Sequence, residues 1–310
     1  MKKVLILLGP TGVGKTGASI LLAKALGTEI ISADSMQIYK GMDVGTAKPT
    51  REERKKVRHH MVDVVNPFES FSAGRYVEEI VPLIDRLHKR GRMPLIVGGT
   101  GLYIKAITRG IFSGPPADWN LREELLSLEE KEAGALHAYL EEIDPRAAAR
   151  IERNDIRRSL RALEVCLKGR EKMSILQETL TRPLPYEFIK IGLTRERKEL
   201  YRIIDERVDA MFSDGLLEEA GRLLFSGPDR TPLQAIGYKE LVPYFDGAIT
   251  REEAADTIKR NTRRYAKRQF TWFRKEEGII WVDITGIYES RIAFEAVKTV
   301  LATLLPDVLE

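Results

Sequence analysis

The 310-residue chain has only one cysteine, Cys166, and four histidines. That scarcity excludes an internal disulfide framework and any cysteine-rich zinc site, and it suits a reducing compartment. Long apolar runs are also missing. The N-terminal run at 4–8 is too short for a signal sequence and has no small-residue cleavage site behind it. No stretch approaches the roughly 18 apolar residues of a membrane span. A large excess of one charge is absent too, since 50 Lys and Arg against 46 Asp and Glu give only +4, a weak hint of a polyanionic partner. With 43% hydrophobic residues the chain can bury a sizeable core, which excludes the disordered and fibrous classes. The expectation is a soluble cytoplasmic protein of about two domains, or one domain with a large insertion.

Continuous apolar runs at 3–8, 28–33, 94–97, 188–193 and 279–282 read as buried parallel strands, with a further short strand at 61–65. Helical patterns at 15–26, 72–90, 195–213, 215–225, 250–275 and 289–303 alternate with them, and Thr50 with Glu53 makes a capping box. That alternation predicts an α/β fold, a parallel sheet with helices on both faces. The pattern changes at the breaker Ser113-Gly114-Pro115-Pro116. Residues 121–177 carry helical periodicity and no convincing strand, until Arg182-Pro183-Leu184-Pro185 breaks the chain again. The predicted organisation is a core of 1–112 and 186–310 and an inserted all-helical module of 113–185.

The segment Gly9-Pro10-Thr11-Gly12-Val13-Gly14-Lys15-Thr16 fits the phosphate-loop pattern G-x-x-x-x-G-K-[ST], placed after a strand and before a helix. Its glycines let backbone N–H groups turn inward around an anion, and the helix N-terminus adds a favourable dipole. Lys15 supplies a point charge, and the Thr16 hydroxyl can ligate Mg²⁺. The motif alone is that of nucleotide- and ATP-binding proteins and says only that a di- or triphosphate binds. A phosphoryl-transfer site should carry a second acid at a strand end. The run at 95–97 ends in glycine, Asp63 sits mid-run, and the clearest strand-end acid is Asp34. Asp34 reads as a Mg²⁺ ligand, a general base, or an ordinary turn aspartate.

Between Lys259 and Lys275 eight cations (Lys259, Arg260, Arg263, Arg264, Lys267, Arg268, Arg274 and Lys275) occur without an intervening acid. The stripe Ala255, Ile258, Thr262, Tyr265, Gln269 and Trp272 is expected to dock on the core, leaving a basic face for a polyanion. Arg150, Arg153, Arg157 and Arg161 share one helical face of the insertion, but interspersed acids allow ordinary ion pairs there. His59-His60 reads as a structural pair, and Trp272-Phe273 as core. These features suggest an enzyme with a small phosphorylated donor and a nucleic-acid acceptor. A P-loop small-molecule kinase and a non-catalytic RNA-binding protein are the alternatives.

Several blocks together resemble the tRNA dimethylallyltransferases over nearly the whole chain. They are the loop at 9–16, Asp34-Ser35-Met36-Gln37-Ile38-Tyr39, and Met42-Asp43-Val44-Gly45-Thr46-Ala47-Lys48-Pro49, followed by His59-His60 and Gly98-Gly99-Thr100-Gly101-Leu102-Tyr103. Arg161-Ala162-Leu163-Glu164, Gly237-Tyr238-Lys239-Glu240 and Arg268-Gln269-Phe270-Thr271-Trp272-Phe273-Arg274 complete the set. The resemblance implies transfer of a dimethylallyl group from dimethylallyl diphosphate to N6 of the adenosine 3′ of the anticodon, position 37 of tRNA. The loop would then bind the donor's diphosphate with Arg207 and with Mg²⁺ at Thr16, which accounts for the missing second acid. Asp34 would take the N6 proton, Thr100 would hydrogen-bond near the amine, and Lys15 would stabilise the leaving group. Asp34, Ser35, Met36 and Gln37 would grip the flipped base, and Arg122, Arg157, Arg158, Ser159, Leu160 and Arg161 the anticodon stem-loop. Gln234, Ala235, Ile236, Gly237, Tyr238 and Lys239, with Lys267, Arg268 and Arg274, would complete the tRNA surface. The family often has Thr-Gly where this chain has Lys168-Gly169, and no C-terminal zinc finger is present, as in the bacterial form. A monomer is expected.

Overall fold

The computed structural model describes residues 1–112, 114–169 and 171–306. The chain divides into two compact units, Met1–Lys105 with Pro185–Glu310, and Ala106–Leu184. The second unit therefore begins at 106, where the sequence pattern changes only at 113; Ser113 itself lies outside the described residues, as does Arg170 within the expected helical stretch.

The first unit is built on six parallel strands: β1 (Lys3–Leu8), β2 (Ile30–Ala33), β3 (His59–His60), β4 (Leu95–Gly98), β5 (Glu187–Thr194) and β6 (Ile279–Asp283). Their order is β3-β2-β4-β1-β5-β6. Residues Val4 to Leu8 are all fully buried. Alternate residues of a strand face opposite ways, so helices cover the sheet on both sides at β1, and each of these side chains contributes about 1.5–3 kcal/mol of burial. The chain leaves β1 toward β2 on one side and later reaches β5 on the other. That reversal opens a crevice at the carboxyl ends of the strands.

The expected strand at 61–65 does not form. The strand is His59–His60, and Met61 and Asp63 follow with φ of 60° and 55°. Asp63 accepts from Lys48 Nζ (2.7 Å) and Arg54 (2.5 Å), and these bonds override the alternating pattern. The long helix Arg251–Phe273 begins at a capping box on Thr250 and buries Ala254, Ile258, Thr262, Ala266, Gln269 and Phe273. The docking stripe thus shares Ile258, Thr262 and Gln269 with the expected one, but Ala255 and Tyr265 lie at its edge and Trp272 is exposed. Helix Gly101–Thr108, straight after β4, was not legible in the pattern.

The second unit contains the helices Trp119–Lys131, Ala135–Ile143, Pro145–Ala148, Ile156–Gly169 and Met173–Leu180, around Leu125, Leu136, Leu140, Leu163 and Val165. Asp144, fully buried, caps the third of these and holds the start of the last through Ser174 N (2.8 Å) and Oγ (2.7 Å). Its two chain ends meet: Leu184 N donates to Ile107 O (3.3 Å), and a Cβ on Gly110 would lie 2.2 Å from Arg182 O.

Candidate active site

The phosphate loop occupies the turn between β1 and helix Lys15–Ala25. Gly9 and Gly12 have φ of 155° and 81°, and a Cβ on either would meet Leu193 O at 2.8 Å or the Ile204 side chain at 2.9 Å. Only glycine fits both the conformation and the space. Lys15 Nζ donates to the carbonyls of Gly9 (2.8 Å) and Pro10 (2.7 Å). Burial, helped by Arg207 and opposed by Asp34, pulls its ammonium down to about 7. Arg207 donates to Thr11 Oγ1 (2.6 Å), and burial holds its guanidinium below the usual range against the pull of Asp34. Lys15, Arg207 and Asp34 therefore form one electrostatic cluster, two cations and an anion at the mouth of an anion loop.

Asp34 follows β2 and Thr100 follows β4, and these strands pair with Ala33 opposite Gly98. A Cβ on Gly98 would lie 2.3 Å from Ala33 O, so glycine permits the close approach of the two strand ends. Asp34 Oδ1 accepts from the N–H of Met36 (2.9 Å) and Gln37 (3.3 Å), which fixes the carboxylate. The turn-aspartate reading is thus correct for this oxygen, while Oδ2 has no hydrogen-bond partner among the described residues. Thr100 Oγ1 accepts from Ser35 N (3.0 Å). Tyr265 lies close to Asp34 and Thr100, and burial raises its phenol well above the ordinary value.

The loop after Asp34 is held from behind. Glu219, 4% exposed, accepts from the N–H of Asp43 (2.8 Å), Val44 (2.9 Å) and Gly45 (2.9 Å) and from Tyr238 Oη (2.7 Å). Buried Lys48 donates to Tyr39 O (2.8 Å), Asp43 (2.6 Å) and Asp63. Gln37 Nε2 donates to Thr46 O and Ala47 O, both at 3.3 Å. Tyr238 and Ala235, expected on the tRNA surface, are core side chains that support this loop, and Gly237 is buried; Ile236 is half-buried, and only Gln234 and Lys239 of that block face solvent.

The basic helix is not free of counter-charge. Lys259 pairs with Asp209 (2.6 Å) and Arg263 with Asp205 (2.5 Å), from the neighbouring helix Arg197–Ser213. Acids distant in sequence supply what the local pattern lacks. Arg264, Lys267 and Arg274 remain exposed, and Arg268 stacks over Tyr265 (5.7 Å). Phe273 is core as expected, whereas Trp272 is 38% exposed and lies against Gly101.

In the second unit Glu164, fully buried, accepts from Asp118 N (2.7 Å), from Nε and Nη2 of Arg122 (2.8 Å each) and from Arg161. Burial pushes its carboxyl up, but these donors outweigh it and leave the group below the usual range. Arg161 also donates to Pro115 O (2.9 Å). Arg122 and Arg161 are thus committed to Glu164. Ser159 is buried and Leu160 packs on the unit's core. Arg157 and Arg158 are exposed, with Arg158 3.3 Å from Asp155.

No group of three or more His, Cys, Asp or Glu side chains able to hold a metal exists among the described residues. His59-His60 is structural: His60 Nε2 lies 2.6 Å from Glu29 and His59 Nδ1 2.8 Å from Val57 O. Mg²⁺ commonly takes one or two protein oxygens, with waters and substrate phosphates completing the shell. A Thr16 hydroxyl at the loop's end fits that sparse donor set, with Asp34 left to its other role.

Two residues of the site carried no chemical expectation: Tyr265, near Asp34 and Thr100, and Gln269, whose Oε1 accepts from Thr11 N (2.8 Å) and whose Nε2 donates to Gly99 O (2.7 Å). The signal was present, since both are polar residues in a stripe otherwise read as docking on the core.

A glycine-rich loop with a lysine at its end, beside a fixed carboxylate and a hydroxyl at the carboxyl ends of a parallel sheet, is an arrangement suited to group transfer from a phosphorylated donor. The sequence profile of the IPP transferase family matches residues 37–276. The tRNA dimethylallyltransferase of Thermodesulfovibrio yellowstonii is 54% identical over 98% of this chain and 99% of its own length, and that of Thermotoga maritima 46% identical over 91% and 93%. The crystal structure of the full-length tRNA isopentenylpyrophosphate transferase from Bacillus halodurans has a TM-score of 0.73 and 44% identity, covering 99% of this chain and 98% of that one. A eukaryotic dimethylallyltransferase acting on tRNA gives 0.79 at 28% identity, over 98% of this chain and 80% of that one. The chain belongs to the IPP transferase family.

Proposed function

We propose that the protein transfers a dimethylallyl group from dimethylallyl diphosphate to N6 of the adenosine 3′-adjacent to the tRNA anticodon. The observation that carries this reading is the cluster of Lys15, Arg207 and Asp34, with Thr100 at the neighbouring strand end, in a chain of this family. The target base leaves its stack to reach the crevice. The N6–C1 bond forms as the C1–O bond of the donor breaks, and diphosphate departs. The loop amides, Lys15 and Arg207 meet the negative charge that builds on the leaving oxygens. Mg²⁺, bound at Thr16, would neutralise part of that charge. Asp34, held by two backbone N–H groups, accepts the proton that N6 loses. Thr100 offers its Oγ beside the amine. Exposed Arg157, Arg158, Gln234, Lys239, Arg264, Lys267, Arg268 and Arg274 supply the electrostatic footprint for tRNA. The protein acts as a cytoplasmic, Mg²⁺-dependent monomer.

The test is mass analysis of tRNA nucleosides after incubation with dimethylallyl diphosphate and Mg²⁺. Prenylated adenosine is the expected product, with ATP neither replacing the donor nor being consumed. tRNA-stimulated phosphate release from ATP without prenylated adenosine would overturn the reading in favour of a kinase or ATPase.

A further inference from the structure

We propose that Gln269 is a positioning residue that sets the spacing between the donor loop and the acceptor strand ends; the inference rests on the transfer reaction proposed above. β1 and β4 are neighbours in the sheet, with Leu8 opposite Gly98. Beyond that register the two chains diverge into the phosphate loop and into Gly99-Thr100, and the ladder can no longer hold them together. The Gln269 amide spans the gap. It takes the N–H of Thr11 from one side and gives its own N–H to Gly99 O on the other, as a ladder partner would.

Three further observations make this a rigid strut. Gln269 is 5% exposed, and both ends of its amide are used. A Cβ on Gly99 would fall 2.3 Å from Gln269 Nε2 and 3.1 Å from Gly9 O, so loop, strand end and amide are packed without slack. The helix that carries Gln269 is anchored by the buried side chains of Ile258, Ala266 and Phe273. One side chain of one helix therefore touches the donor loop, through Thr11, and the acceptor end, through Gly99. The chemistry of the amide explains the residue type. Glutamate has no hydrogen to give Gly99 O, asparagine is one methylene short, and methionine fills the space but bonds neither partner.

The reaction joins an atom carried by one loop to an atom held by the other, and a misplacement of about 1 Å costs about 100-fold in rate. The test is single-turnover prenyl transfer at saturating donor and tRNA, with rates expressed per folded molecule, alongside separate affinities for donor and tRNA. Gln269→Met and Gln269→Glu are expected to transfer roughly 10- to 100-fold more slowly, with tRNA affinity within about twofold of wild type. Gly99→Ala, which drives a methyl into the amide, is expected to slow transfer similarly. Gly99→Ala combined with Gln269→Ala should be no slower than the worse single variant, because both break one connection.

A residue that merely fills the core would lower thermal stability yet leave the rate per folded molecule unchanged, and that result overturns the proposal. So does strict additivity of the Gly99 and Gln269 effects. Should Gln269→Met fail to fold, the near-isosteric Gln269→Glu carries the same test. Failure of wild-type protein to prenylate tRNA would instead refute the underlying reaction, which distinguishes the two outcomes.

Discussion

Lys15 should set the pH at which the loop at 9–16 takes up a diphosphate. Its ammonium lies at about 7, lowered first by burial and also by Arg207, with Asp34 opposing. For a lysine that means charge present below pH 7 and lost above it. At pH 8 roughly nine molecules in ten carry Lys15 neutral before ligand arrives. Diphosphate favours the cation, so binding takes up about one proton above pH 7 and Lys15's contribution to affinity falls about tenfold, or about 1.4 kcal/mol, per pH unit. The assay is calorimetric titration of inorganic diphosphate into wild type and Lys15→Met from pH 6 to 9, in pairs of buffers with different ionisation enthalpies. The ligand's own titration is common to both proteins and cancels in their ratio. The wild-type advantage should be greatest at or below pH 7 and shrink steadily toward pH 9. An advantage that stays constant over the whole range would refute the reasoning and make Lys15 an ordinary, fully charged lysine. Stability offers a second check on the sign. Between about 7 and the ordinary lysine value of 10.5 the unfolded chain binds the proton and the folded chain does not, so wild type should gain stability with rising pH relative to Lys15→Met.

Asp34→Asn should lose roughly 10²–10⁴-fold in single-turnover rate while donor and tRNA binding survive; rescue by high Mg²⁺ would make Asp34 a metal ligand instead of the base. Arg161→Ala leaves buried Glu164 with fewer donors and should destabilise the second unit by up to about 3 kcal/mol in denaturant melts, whereas Arg157→Ala should leave the melt unchanged and reduce the slope of log affinity against log salt for tRNA by about one. An unchanged slope would remove Arg157 from the interface. Glu219→Gln cannot keep all four bonds of the carboxylate and should cost about 2–4 kcal/mol of stability, read from the urea midpoint; a loss below about 1 kcal/mol would show the loop at 43–45 to be held by other groups. Because Glu164 titrates below its ordinary value of 4.5, the stability it confers is present above that pH and should be lost as pH falls below it, visible as acid unfolding that Glu164→Gln blunts.

Much of this molecule could be read from local pattern. The run at 3–8 could only be a buried strand, and the glycines at 9, 12 and 14 with Lys15 announce an anion loop. Most of what escaped was set by partners distant in sequence. Asp63 spoils a strand because Lys48 and Arg54 reach it, and no window around 61–65 contains that information. The basic stretch past Lys259 looked free because its acids, Asp205 and Asp209, sit on another helix. Arg161, expected on tRNA, spends its guanidinium on Glu164 three residues away, a pair that is visible in sequence but whose burial is not. Tyr265 and Gln269 were visible as polar residues on a docking stripe, yet the pattern could not say what they dock on.

The closed neck of the second unit bears on how the chain folds. β1 pairs with β5 in the register Lys3 to Glu187, so the central pairing of the sheet joins segments separated by more than half the chain. Closing so long a loop is slow, because the entropy is spent before any contact rewards it. The second unit has its own core, and its entry and exit meet between Ile107 and Leu184. Once it has folded, those residues no longer act as a long flexible loop, and β4 and β5 approach as though joined by a short turn. The insertion thereby brings distant strands within reach of each other, and its early collapse should speed formation of a sheet to which it contributes no strand.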